Sequence, residues 1–122
     1  GTRTLVDHEE VVGWISERSR AVELTTSVCT GSFLLGRAGL LDGRRATTHW
    51  MSLDRMRETF PAIEVDCDHH VVEDGAIITS AGISAGIDMA LRVVARYHGH
   101  AVARATARHM EYAYPEHNTR RV

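Results

Sequence analysis

Apolar positions along the chain alternate between a helical period and an extended one, and each change of period marks an element. Val11, Val12, Trp14 and Ile15 form a stripe behind Asp7, which is placed to cap a helix; Glu10, three residues on, completes a capping box, so the pattern predicts a helix over 8–19. From Ala21 to Val28 the residues are β-branched and almost uncharged, as in a strand covered on both faces. Cys29-Thr30-Gly31-Ser32 follows at once. Phe33, Leu34, Leu35, Ala38 and Leu41 then restore helical spacing until Asp42-Gly43 ends it. Arg45 to Thr48 reads as a short strand running into His49-Trp50, and Leu53, Met56 and Phe60 mark a brief helix closed by Pro61.

Two further extended stretches, 63–72 and 76–80, flank Glu73-Asp74-Gly75, a turn sequence suited to a hairpin. Ile87, Leu91 and Val94 share one face of a last helical region, which His98-Gly99 interrupts before Ala101 to Met110 continues. Tyr114 to Val122, with Pro115 and two arginines, reads as an exposed end. This alternation predicts an α/β fold on a parallel sheet. A strand buried on both faces needs strand neighbours, yet the chain opens with a helix and has few other strands, so upstream residues or a separate chain should complete the sheet.

A length of 122 residues supports one domain, expected to span 1–122. The net charge of −2 gives no basic field for phosphates, and an aromatic share of 6% gives no stacking surface, so this segment is not expected to bind nucleic acid. No apolar run is long enough for a bilayer, which predicts no membrane partner. With no secretory signature and only Cys29 and Cys67, the expectation is two thiols in a cytoplasmic protein. The opening Gly1-Thr2-Arg3 carries no initiator methionine, so the gene product is expected to start upstream.

A strand running into Cys29-Thr30-Gly31 and then a helix is a nucleophile-elbow pattern: a sharp turn presents the side chain at the sheet edge over a helix N-terminus. That terminus carries about half a positive charge, which favours a thiolate, and its N–H groups can receive an oxyanion. Gly31 is expected to let the turn close without a Cβ clash. A small, inert, buried cysteine fits the same local pattern equally well.

Other residues weigh toward structure. The run Asp66-Cys67-Asp68-His69-His70 holds every common metal-ligand type, but on a strand His69 and His70 point to opposite faces; a solvated edge strand with an inert Cys67 is preferred and no metal or cofactor is expected. His98 and His100 flank Gly99 as capping residues. Arg92, Arg96, Arg104 and Arg108 are read as a solvated surface, and Met51, Met56, Met89 and Met110 as core filling.

A resemblance shifts the balance at Cys29. Ser27-Val28-Cys29-Thr30-Gly31-Ser32-Phe33-Leu34-Leu35, the run from Ala38 to Trp50 with Thr47-Thr48-His49, and Thr79-Ser80-Ala81-Gly82-Ile83-Ser84-Ala85-Gly86-Ile87-Asp88 together resemble ThiJ/PfpI domains, in their order and spacing. The resemblance implies a flavodoxin-like three-layer sandwich with a mostly parallel sheet, of which this chain is the C-terminal portion without the N-terminal βαβ part. It implies Cys29 as the elbow nucleophile, an acidic partner and a second oxyanion donor before residue 1, and a homodimer.

Cys29-Thr30-Gly31 is similar to the isonitrile hydratase branch and to the sensor domains of AraC-type regulators. The hydratase branch implies a small-molecule substrate, Thr30 contributing its backbone N–H to developing charge, and its hydroxyl orienting water or the acid. His49 lies near the elbow in relatives; proton transfer is one role, and a hydrogen-bonded structural histidine is preferred. The alternatives are a ligand-sensing domain followed by about a hundred residues with two helix-turn-helix units, or a redox or stress-protective protein acting through Cys29 oxidation.

Overall fold

Ile77-Ile78-Thr79-Ser80 is the segment around which the molecule is organised. The computed structural model, described for residues 1–121, places these residues in β5 (Ile77–Ser80), buried along its whole length. One edge of β5 pairs in parallel with β1 (Thr25–Val28), and the other pairs antiparallel with β4 (Val71–Asp74). A second parallel pair joins β2 (Arg45–Ala46) to β3 (Glu64–Val65).

Successive side chains of a strand face opposite sides, so adjacent isoleucines seed two cores. Ile77 packs with Phe33, Leu35, Leu41, Ala46, Met56 and Ile63, beneath α3 (Ser32–Arg37) and α4 (Leu53–Thr59). Ile78 packs on the other side with Val71 and Met89 of α5 (Ala85–His98). Helices therefore cover both faces of the three-stranded sheet β1-β5-β4, beside the separate two-stranded sheet β2-β3, and the β1–β5 and β2–β3 pairs are parallel. Leu41 and Met56 are fully buried, and truncating either to alanine costs about 2–5 kcal/mol.

The predicted hairpin forms, but Glu73 and Asp74 belong to β4 and the turn is Gly75–Ala76, with Asp74 opposite Ile77 and Gly75 at φ +61°. Gly99, at φ +88°, separates α5 from α6 (His100–His109), as the sequence implied. The predicted helix after the elbow ends at Arg37; Gly39 and Gly43, at φ +75° and +72°, turn the chain through to β2.

Several expectations need correction. α1 (Thr2–Leu5) precedes α2 (Glu9–Ser19), and the cap of α2 is His8, whose Nδ1 accepts from the Val11 N–H at 3.4 Å. Asp7 lies one residue too early to cap, in the turn closed by the His8 N–H on Leu5. No residue of the predicted stripe on α2 is fully buried: Ile15 packs half-buried against the core, and Trp14 is 62% exposed. β1 starts at Thr25 and is not covered on both faces: its far edge is unpaired among the described residues and Val28 is exposed. An uncharged β-branched run looks the same whether its cover comes from this chain or from elsewhere. Met56 and Met89 fill core, whereas Met51, in a 3₁₀ turn, and Met110, capping α6, are 72% and 52% exposed.

The C-terminal tail is not a free end. Asn118 pairs with Val71 as a strand neighbour would: its Oδ1 accepts from the Val71 N–H at 2.9 Å and its Nδ2 donates to the Val71 carbonyl at 2.7 Å. The Asn118 carbonyl accepts from His70 at 2.9 Å, His69 bridges Thr119, and the Arg120 N–H donates to Asp68 at 2.7 Å. Arg121 reaches the buried Asp88 at 3.1 Å. Residues 118–121 thus strap the edge beside β4; Val122 lies outside the described residues.

Candidate active site

The chain reverses direction at one residue. Val28 is extended, at φ −116°, ψ 139°, and Cys29 then adopts φ +58°, the left-handed region, before a 3₁₀ turn (Cys29–Gly31) leads into α3. A non-glycine residue there costs roughly 1–2 kcal/mol and persists only where its surroundings fix it. Both ends of the cysteine's backbone are fixed. Its N–H donates to the Ala81 carbonyl at 3.2 Å, and its carbonyl accepts from the Ser32 hydroxyl at 3.2 Å and the Thr48 hydroxyl at 3.0 Å. Ser32 and Thr48 are fully buried. Cys29 itself is a free thiol, half-buried.

Gly31 does not play the part expected of it. It sits at φ −56°, and a Cβ added there meets Ser27 Cβ at 3.6 Å, an ordinary contact. The turn is closed by the conformation of Cys29, not by a missing side chain.

Thr30 follows with its hydroxyl donating to Thr2 Oγ1 at 3.2 Å, which ties the start of the chain to the elbow. In this arrangement the hydroxyl's proton is engaged, and its oxygen and the backbone N–H are what Thr30 offers to a neighbouring group. His49 is half-buried, and its Nδ1 accepts from the Met51 N–H at 3.2 Å, capping the 3₁₀ turn Trp50–Ser52. Its ring lies on Gly82, where an added Cβ would stand 2.3 Å from His49 Cδ2. Thr48 and Ala81, which hold the two ends of Cys29, are the chain neighbours of His49 and Gly82. The imidazole is therefore seated by the same two segments that fix the elbow. Thr48, Ala81 and Gly82 stand out in the sequence only as parts of matching runs, because contacts between residues 19 to 52 positions apart leave no local pattern.

The acidic and histidine run is bent rather than extended, which overturns the strand argument made for it. Asp66 faces His69, not His70: its carboxylate meets His69 Nδ1 at 2.8 Å, accepts from the Asp68 and His69 amides, and pairs with Arg45 at 2.6 Å. Burial alone would raise the Asp66 pKa, but these hydrogen bonds together outweigh it and hold the carboxyl below the usual range. His70 is buried, its Nε2 accepting from the Arg121 N–H at 2.8 Å and its Nδ1 without a partner among the described residues. Cys67 is exposed. Among the described residues no three His, Cys, Asp or Glu side chains are grouped to hold a metal ion, and no helix is long and apolar enough to cross a membrane.

His100 opens α6, but its Nδ1 lies 3.1 Å from the Tyr114 hydroxyl, and among the described residues no side chain caps that helix end. Arg92 pairs with Glu73, Arg96 donates to the Gly75 carbonyl and Arg104 pairs with Glu116, a surface set of local contacts. A cleft of about 440 Å³ runs beside the unpaired edge of β1, lined by Trp14, Ile15, Val22, Leu24, Leu34 and Leu35 with β1 itself.

Residues 1–96 match the model of the DJ-1/PfpI family. The chain is similar to an isonitrile hydratase of Pseudomonas putida, 42% identical over 93% of this chain and 48% of the relative. It is also similar to the HTH-type transcriptional regulator CdhR of Pseudomonas aeruginosa, 42% identical over 73% of this chain and 26% of the regulator. Among solved structures, a ThiJ/PfpI family protein from Pseudomonas syringae superposes with a TM-score of 0.83 at 36% identity, covering 97% of this chain and 48% of that one. The chain thus spans about half the length of the hydratase and about a quarter of the regulator.

Proposed function

The chain belongs to the DJ-1/PfpI family, and from that premise we propose that it carries the nucleophile of a cysteine hydratase that converts an isonitrile to an N-substituted formamide. The observation that carries the reading is Cys29 at φ +58°, held by hydrogen bonds at both its N–H and its carbonyl. Such strain concentrates where a fold has to present one side chain. The likeness to a hydratase along 93% of the chain supports the substrate class.

In this mechanism the Cys29 sulfur bonds to the terminal carbon of R–N≡C while a proton is delivered to that carbon, giving the thioimidate R–N=CH–S–Cys29. Water then adds to the same carbon, the C–S bond breaks, and R–NH–CHO leaves with the thiol restored. The Thr30 N–H faces charge developing during addition. His49, with Nδ1 occupied by the Met51 amide, offers Nε2 for proton transfer. The acid that protonates the carbon is assigned to residues beyond this chain. Assayed on an alkyl isocyanide, the intact protein releases the formamide, and Cys29→Ser removes turnover with thermal unfolding nearly unchanged. Equal turnover in the two forms rejects covalent catalysis.

A second reading, ligand sensing within an AraC-type regulator, is favoured by the 42% identity to CdhR over 89 residues. It predicts salt-sensitive, sequence-dependent binding of the intact gene product to its own promoter, which the hydratase reading does not.

A further inference from the structure

The strained cysteine and the C-terminal strap share one hydrogen-bonded path. Arg120 Nη2 donates to Thr47 Oγ1 at 2.6 Å and to the Thr48 carbonyl at 3.2 Å. Thr47 and Thr48 are fully buried; Thr47 donates its hydroxyl to the Asp66 carbonyl at 2.7 Å, and its N–H donates to Thr79 Oγ1 at 2.9 Å. Thr48 in turn donates its hydroxyl to the Cys29 carbonyl. On the other side, the Ala81 carbonyl holds the Cys29 N–H, the Ala81 N–H donates to His70 at 2.8 Å, and the His70 N–H donates to Asn118. Both ends of the cysteine's backbone therefore trace to the strap at residues 118–120.

We propose that Arg120 is a positioning residue for Cys29, acting through Thr48 to keep the elbow in its left-handed conformation. It touches neither the sulfur nor a substrate site. Its guanidinium fixes the carbonyl of Thr48 and the hydroxyl beside it, so the Thr48 side chain stands where the Cys29 carbonyl can accept from it. Without that anchor the left-handed residue loses one of the contacts that over-determine it. The catalytic consequence rests on the reading of Cys29 as nucleophile; the conformational claim does not.

The test compares Arg120→Met and Arg120→Lys with the parent in the intact protein, by amide hydrogen exchange resolved along the chain. In Arg120→Met, amides at 29–31 and 47–49 exchange about tenfold faster, the scale of one lost hydrogen bond to a charged group, while those of α5 and α6 stay at parental rates. Both bonds leave a single terminal nitrogen, so the lysine ammonium restores parental exchange at the elbow. On an isocyanide that the parent turns over, Arg120→Met lowers kcat with KM unchanged. Acceleration confined to the tail, or spread evenly over the molecule, or a lysine variant no better than methionine, overturns the proposal. Loss of turnover in Cys29→Ser is read separately, so either claim can fail alone.

Discussion

Glycine at position 29 removes the Cβ that resists a φ of +58°, so Cys29→Gly is expected to unfold at higher denaturant than Cys29→Ala, by about 1 kcal/mol. Equal midpoints would mean the turn is not strained. Gly82→Ala acts on the neighbouring imidazole: its Cβ would stand 2.3 Å from His49, so the ring must leave its seat, at a cost of about 1–3 kcal/mol. Its expected signature is a shifted His49 resonance with the Cys29 amide retained. His70 carries a pH dependence. Burial foremost, then Arg121, depress its pKa below the ordinary 6.5, with Asp88 pulling the other way and Arg120 adding to the depression. As pH falls past 6.5 the unfolded chain binds the proton first, so stability declines from there down to the folded pKa and levels below it. His70→Gln keeps an acceptor for Arg121 and should flatten the fall in Tm between about pH 7.5 and about pH 5.5; an unchanged slope contradicts this. The position of the elbow was legible because Cys29 sits at an abrupt change of period. Its supports were not, since Thr48 and Ala81 reach it from other parts of the chain.

At the scale of elements, the strap at residues 118–121 is worth more than a tail. Asn118→Ala removes two neutral hydrogen bonds to Val71, and its expected cost is about 2 kcal/mol in denaturant unfolding; a change within error would make the strap incidental. Hairpin and helix break were readable because Gly75 and Gly99 need left-handed backbone and flank clear periodic runs. The strap was not, because it binds through backbone and one amide side chain, with no apolar rhythm. β1 misled for another reason: composition reports that a strand is covered, not by what. β5 was the strand sealed on both faces, and its Ile77-Ile78 pair states that as two adjacent apolar residues.

Taken whole, the chain covers about half of the hydratase and of the syringae structure it resembles, and an apolar cleft stands open beside β1. We propose that in the intact protein further chain covers that edge. The β1 amides at residues 25–28 should then exchange more slowly in the intact protein than in residues 1–122 alone; equal rates would contradict it. The central claim is that Cys29 bonds to the substrate carbon. Rapidly quenched during turnover of an alkyl isocyanide, the intact protein should carry the added mass of one whole isocyanide, as R–N=CH–S–Cys29, which mass spectrometry locates. The account predicts that mass on Cys29 and not on Cys67, and its loss in Cys29→Ser; formamide released with no such adduct at any quench time would contradict it.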